Sequence, residues 1–487
     1  MEKINHYLSY QFAGGLTRAL ALLLALCLIP ATMFSVKLLS NEVANWLFAL
    51  ILPVLVWLLF SYRKALIEIP ERIYLIGLVL IFVVSRAAWI FIMPTLPISD
   101  YAFYYNIAAR VAILRPFTDI PWRAINLNAY GYPVFLGLWF KVTSQSLLSA
   151  KLFSLFLGAG SLMMFFRISG YFGPDIGRIA PLLFTLWPAQ LLYSSVLGSE
   201  HLGIFTLLFA VWHLFKALDP EDRNKWSGII AGLFFGLTYL TRTALSVVLL
   251  WGLICVLLSA VDLKKKIFQI ATILAAFVAI IGLFYVAIRL VFGVLPISNS
   301  LITLLMGTNY ESIGFYNSAD AEEYFKFDTV EEANAYAWQV AKVRIVDNPV
   351  KFIGLMMRKT PWMWSNDGFG YGFSTKKLSS TPHFASTEFG KAALEMTPLY
   401  FRTLALALSL LGCARIAVKR YVNQHNLFVI GAILSGVALH AVLETQPRYQ
   451  MPYTPFLLIL AAIGFAALID FTEKSAHPDV ERDELAG

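Results

Sequence analysis

Charge is scarce in this sequence. Only 14% of its 487 residues are Asp, Glu, Lys or Arg, 59% are hydrophobic, and the mean hydropathy is +0.69. Soluble domains carry about 25% charged residues to cover their surface, so a soluble globular fold is excluded. Cysteine is rare as well: Cys27, Cys255 and Cys413 each sit inside an apolar run, which leaves no disulfide framework and no metal-ligand spacing. Walker-type phosphate loops, dinucleotide glycine fingerprints and zinc-protease motifs are missing, and no soluble domain looks able to seat a nucleotide sugar. No internal repeat is found, and the alternating ten-residue pattern of a membrane barrel does not occur.

What the chain does have is long apolar runs. A span needs about 20 mostly apolar residues, and helices satisfy their own backbone groups in lipid. Spans are expected at roughly 16–38, 45–60, 73–93, 149–167, 178–198, 201–217, 226–241, 243–261, 268–292, 396–418, 426–444 and 451–471, about twelve helices of an all-α polytopic membrane protein. The first run lacks a small-residue cleavage site and reads as a retained span. The net charge of +8 would suggest nucleic acid in a soluble protein; here it falls in short loops. Arg63, Lys64 and Arg72, Arg167 and Arg178, Lys216, Arg223 and Lys225, Lys264 to Lys266, and Arg415, Lys419 and Arg420 are placed on the cytoplasmic side. Both termini then fall inside. The apolar stretch Tyr132 to Phe140 is too short to span and would break this parity, so it is expected to lie at the outer surface.

The expected organisation is an N-terminal two-span extension with a cytoplasmic loop over 1–72 and a transmembrane module over 73–292 with a first outer loop at 94–150. A large extracytoplasmic region over 293–397, three C-terminal spans over 398–471 and a cytoplasmic tail over 472–487 follow. Long loops on a rigid scaffold tend to carry function. The second contains an acidic stretch (Asp320, Glu322, Glu323, Asp328, Glu331, Glu332), most simply a solvated face, and a helix expected over 331–346.

The polar residues that could carry chemistry collect on the non-cytoplasmic side. Ser99 and Asp100 open a helix with an apolar stripe at Phe103, Ile107, Val111 and Leu114, where either residue could serve merely as a cap. Ser199-Glu200 and Thr241-Arg242-Thr243 form tight turns, Glu444 to Tyr449 forms a third, and Arg86 lies near the outer end of its span. Taken singly, each is explained by capping or snorkelling. Together, carboxylates and arginines at one membrane face suggest a polar cavity for an anionic head group.

In this order and placement the chain resembles the GT-C superfamily of polyprenyl-phosphate-dependent glycosyltransferases, in particular bacterial relatives of protein O-mannosyltransferases and aminoarabinose transferases (glycosyltransferase family 39-like). The features that carry the resemblance are Arg86, Ser99-Asp100 and Tyr104; Gly131-Tyr132-Pro133; Pro188 through Glu200; Leu240 to Thr243; Asn348-Pro349 leading to Lys359 and Trp362; and Arg448-Tyr449 with Pro452 and Pro455. They cover roughly residues 73–471; the two N-terminal spans have no counterpart.

The resemblance implies an inner-membrane enzyme whose active site faces outward. It would pass a sugar from a polyprenyl-phosphate donor to a hydroxyl on a lipid, glycan or protein acceptor, with inversion. Asp100 is the implied base. Partial burial near lipid would raise its affinity for the proton. Arg242 and Arg448, with Lys359 behind them, are the candidates for the lipid phosphate, since a planar guanidinium suits that anion. Tyr104, Tyr449, Glu200 and Arg86 are candidates for the substrate pocket. A single acid stands where some relatives have an adjacent acidic pair, so no cofactor is expected and a divalent metal has little support. The competing readings are a transporter or flippase of a lipid-linked glycan, and a polysaccharide polymerase or ligase.

Overall fold

A chain immersed in lipid must satisfy its backbone internally, and the apolar runs do so as helices. The computed structural model describes residues 2–39, 51–122, 127–219, 224, 226–296, 298–418 and 424–476. Among them there is no β-strand, and one isolated antiparallel bridge joins Thr95 to Leu378.

Eight of the described helices are long and apolar enough to cross a membrane: Phe12–Leu39, Glu71–Ile92, Leu147–Phe172, Glu200–Leu218, Leu263–Phe292, Glu388–Val418, Gln424–Val442 and Pro447–Phe471. Trp226–Thr241 and Thr243–Leu258 are shorter apolar helices. The chain is thus an all-α, multi-pass membrane protein, with eight spanning-length helices against the twelve expected: those expected at 226–241 and 243–261 are the two shorter helices, and two more places differ. The span expected at 45–60 lies partly outside the described residues. The span expected at 178–198 is divided into helices Pro174–Leu186 and Pro188–Tyr193, because Pro188 has no N–H to give and forces Trp187 into an extended conformation (ψ 108°).

Close backbone approach shapes the bundle. A Cβ at Gly464 would lie 1.8 Å from the Leu408 carbonyl oxygen and one at Gly412 2.2 Å from that of Leu460, so helices Glu388–Val418 and Thr454–Ala476 cross at glycine. The N-terminal helix packs on the first of these, Glu388–Val418, with Ser35 Oγ 2.5 Å from Thr403 Oγ1. The stretch expected to lie at the surface forms the helix Leu127–Val142, whose Gly131 sits against the Leu240 carbonyl.

Two parts of the region 293–397 reach back to the bundle. Leu96 N–H donates to the Lys377 carbonyl (2.9 Å) and Ser379 N–H to that of Pro94 (3.1 Å), while Glu444 N–H and Thr445 N–H donate to Thr303 and Gly314. Thr329 caps the helix Val330–Val346 by accepting from Glu332 N–H, one residue from the expected start. The acidic stretch needs a correction: Glu322, Glu323, Asp328, Glu331 and Glu332 are exposed, but Asp320 is buried and held by both guanidinium nitrogens of Arg344 (2.9 and 3.2 Å) and by Asn309.

Candidate active site

Asp100 lies in the first turn of the helix Ser99–Ala112. Neither it nor Ser99 makes a side-chain cap bond, and Ser99 has φ +46°, a left-handed conformation that costs a non-glycine residue about 1 kcal/mol or more. Of the expected stripe, Ile107 and Val111 are buried against Phe117, Tyr130, Ile288 and Phe292, with Phe103 beside them. Leu114 is not part of it: the helix stops at Ala112, and Leu114 is exposed with φ +55°. The buried face leaves the Asp100 side chain 57% exposed, open to an incoming group.

Arg448 begins the turn that leads into the last helix. Its Nη2 stands 3.7 Å from Asp100 Oδ2, and its Nη1 donates to the Tyr101 hydroxyl at 2.6 Å. Tyr193 donates to Glu200 Oε2 (2.9 Å), so its one proton is committed and the 2.9 Å contact between the two tyrosine hydroxyls must run from Tyr101 to Tyr193. Arg242 closes the far end by donating to Glu200 Oε1 (2.7 Å) and Ser199 Oγ (3.2 Å). Hydrogen bonds therefore run from Arg448 through Tyr101 and Tyr193 to Glu200, which also accepts from Arg242, and Asp100 adjoins the Arg448 end of this line as a longer ion pair.

Tyr449 lies between the two arginines, with the Arg242 and Arg448 guanidinium carbons 5.4 and 5.6 Å from its ring centroid. The His440 ring stacks with it at 5.1 Å between centroids. Tyr104 packs edge-on to Tyr101 and Tyr132 and feels the charges of Asp100, Glu200, Arg242 and Arg448. Burial pushes the Tyr101 hydroxyl up to about 12, so it remains a neutral donor.

The charges are unevenly matched. Arg242 (side chain 18% exposed) is neutralised by the buried Glu200 carboxylate at hydrogen-bond distance. Arg448 has its nearest carboxylate at the longer distance to Asp100, with Glu200 and Glu444 acting on it from further away, and among the described residues its Nε has no hydrogen-bond partner. Arg448 is therefore the cation better placed to take an added anion.

Two of the sequence candidates sit elsewhere. Lys359 Nζ is buried and donates to the carbonyls of Gly307 (2.8 Å) and Leu443 (2.7 Å), behind the Glu444 turn, and burial pushes it down to about 7. Arg86 donates to Gln190 Oε1 (3.0 Å) and to the Thr185 carbonyl (2.6 Å), bracing the helix interruption at Pro188. Neither joins the carboxylate–arginine line.

Sequence reasoning missed three groups. Tyr101 and Tyr193 look like ordinary interface tyrosines. Asp367 and Arg402 form an ion pair of 2.6 Å with exposures of 0% and 1%, joined by Trp187 Nε1 and Gln450 Nε2. The signal was available for Arg402, an arginine in an apolar run, which is the feature that singled out Arg86. Among the described residues, no three His, Cys, Asp or Glu side chains gather as metal ligands would.

These features define a polytopic helical membrane protein with a cluster of arginine, carboxylate and tyrosine side chains that joins Asp100 and Arg448 to Glu200 and Arg242. Residues 129–285, which include Gly131, Glu200 and Arg242, match the family model for dolichyl-phosphate-mannose-protein mannosyltransferase, in accord with the GT-C resemblance. No curated protein matches the chain. Among solved structures, similarity extends to the archaeal oligosaccharyltransferase AglB from Archaeoglobus fulgidus, in complex with an inhibitory peptide and a dolichol-phosphate. That match has 12% identity and a TM-score of 0.47 over 83% of this chain and 52% of that one. ArnT from Cupriavidus metallidurans, bound to undecaprenyl phosphate, matches at 11% identity and a TM-score of 0.35 over 82% and 78%. The chain spans about half the length of the oligosaccharyltransferase it matches.

Proposed function

We propose that the protein is an inverting glycosyltransferase. It takes a sugar from a polyprenyl-phosphate donor and passes it to an acceptor hydroxyl at the non-cytoplasmic face of the inner membrane. The observation that carries this reading is the convergence of an accessible carboxylate, Asp100, on an arginine with unspent hydrogen-bonding capacity, Arg448.

Asp100 removes the acceptor proton as the acceptor oxygen bonds to the anomeric carbon. The bond from that carbon to the phosphate oxygen breaks, and its electron pair leaves with the lipid phosphate. Arg448 receives this growing charge, with Arg242 behind it, in a setting that water screens poorly. Glu200 is a poor second base, because both of its oxygens are already engaged by Tyr193 and Arg242. Tyr104 and Tyr449 wall the sugar subsite.

The test is sugar transfer from radiolabelled polyprenyl-phosphate donors by purified protein with membrane extract. Asp100→Asn should lower the rate by about 10²-fold or more while donor binding persists. Equal rates in the two proteins would remove Asp100 from the mechanism and this reading with it.

A further inference from the structure

A second cationic group lies on the other side of Tyr101. Lys151, in the second turn of the helix Leu147–Ser169, is only 6% exposed, yet no hydrogen bond or ion pair to its ammonium occurs among the described residues. No carboxylate perturbs it. It lines a cavity together with Thr95, Pro97, Tyr101, Ser195 and Phe373. Tyr101 and Phe373 also face Arg448, so the cavity and the arginine pocket share a wall.

The side chain is largely buried while its ammonium keeps some accessible surface, and a cation so confined is normally matched by a counter-charge or hydrogen-bond acceptor. The protein supplies neither here. Thr95 Oγ1 donates to the Ser374 carbonyl (2.6 Å) and accepts from Ser195 Oγ (2.9 Å), so both hydroxyl protons are committed within the wall and Lys151 is the group with donors to offer. The cavity leaves about 10 Å³ for the centre of a water-sized sphere, the room of a single oxygen atom. The amino end of the Leu147–Ser169 helix, capped by Ser146, adds a favourable field for negative charge.

We infer that Lys151 forms a second anion subsite, which takes one oxygen of a phosphate-type group carried by the acceptor. Thr95 and Pro97 lie five and three residues before Asp100, so a group anchored at Lys151 would hold its neighbouring hydroxyl on the approach to the base. This assignment rests on the glycosyl-transfer reading and names the acceptor class as anionic.

The test uses the full chain in phosphatidylcholine nanodiscs, titrated with radiolabelled phosphatidic acid. Wild type is expected to bind it saturably, Lys151→Met at least tenfold more weakly, and Lys151→Arg as wild type. If the methionine variant fails to fold, Lys151→Gln carries the same comparison. Displacement by inorganic phosphate would show that the free anion suffices, and resistance to it would show that the lipid-borne group is required; either supports the subsite. Equal binding by wild type and the uncharged variants would overturn it, leaving the cavity to a water molecule. Arg448→Ala and Asp100→Asn separate the two ideas: if they lose donor binding and transfer respectively while Lys151→Met binds as wild type, the acceptor inference fails alone.

Discussion

Arg448 gives its shortest hydrogen bond to a neutral hydroxyl, Tyr101 at 2.6 Å, and stands 3.7 Å from the carboxylate of Asp100. A full ion pair would occupy both groups; the longer contact leaves both available. Arg448→Ala is therefore expected to raise the KM for the lipid donor by about 10- to 100-fold, the worth of a charged hydrogen bond or two. Arg448→Lys should recover only part of this, because an ammonium lacks the planar fork. Steady-state kinetics over donor concentration decides it, and unchanged donor KM in the alanine variant would exclude the phosphate role.

Glu200 and Arg242 behave as a unit. Glu200→Gln keeps the shape and removes the charge, which strands a largely buried guanidinium at a cost of about 3 kcal/mol. A lowered melting temperature in detergent is the expected outcome, together with weaker donor binding. Unchanged melting would show that water already neutralises Arg242.

Gly131 touches the hairpin that carries Arg242. A Cβ there would stand 1.7 Å from the Leu240 carbonyl oxygen, so Gly131→Ala must push apart the helices Leu127–Val142 and Trp226–Thr241. The expected cost is about 1–3 kcal/mol, with a loss of donor affinity although no ligand-facing atom has changed. Wild-type melting and affinity in this variant would show that the contact relaxes freely.

Lys359 makes a prediction about pH. Its folded-state value, pushed down to about 7, lies below its ordinary value of 10.5, so between these limits the unfolded chain binds the extra proton. Its contribution to stability is then fully present above about pH 10.5 and is lost as pH falls through 7. Comparing Lys359→Met with wild type across pH 6–10 should reveal a difference in slope approaching about 1.4 kcal/mol per pH unit within that window. Parallel curves would mean that Lys359 stays protonated in the folded protein.

Helix positions were largely legible in the sequence because they depend on local signals: apolar runs of spanning length, Thr329 as a cap before Val330–Val346, Asp100 at the opening of its helix. The site was partly legible for a different reason. Charged residues at the ends of apolar runs have few places to go, and Asp100, Glu200, Arg242 and Arg448 do meet, with Tyr104 and Tyr449 among them. The tyrosine line and the Asp367–Arg402 pair were not legible, since each depends on distances between elements far apart in the chain. The interruption at Pro188 could have been read from proline chemistry but was masked by the continuous hydrophobicity of 178–198.

The backbone clasp between residues 94–96 and 377–379 joins segments separated by more than 280 positions, and Arg448 arrives later still. Asp100 can therefore enter the bilayer boundary early in synthesis, but the loop that bears it cannot be anchored until most of the chain has emerged. The nascent protein would thus carry Asp100 apart from its arginine through most of its insertion, the two meeting only when the last helices arrive.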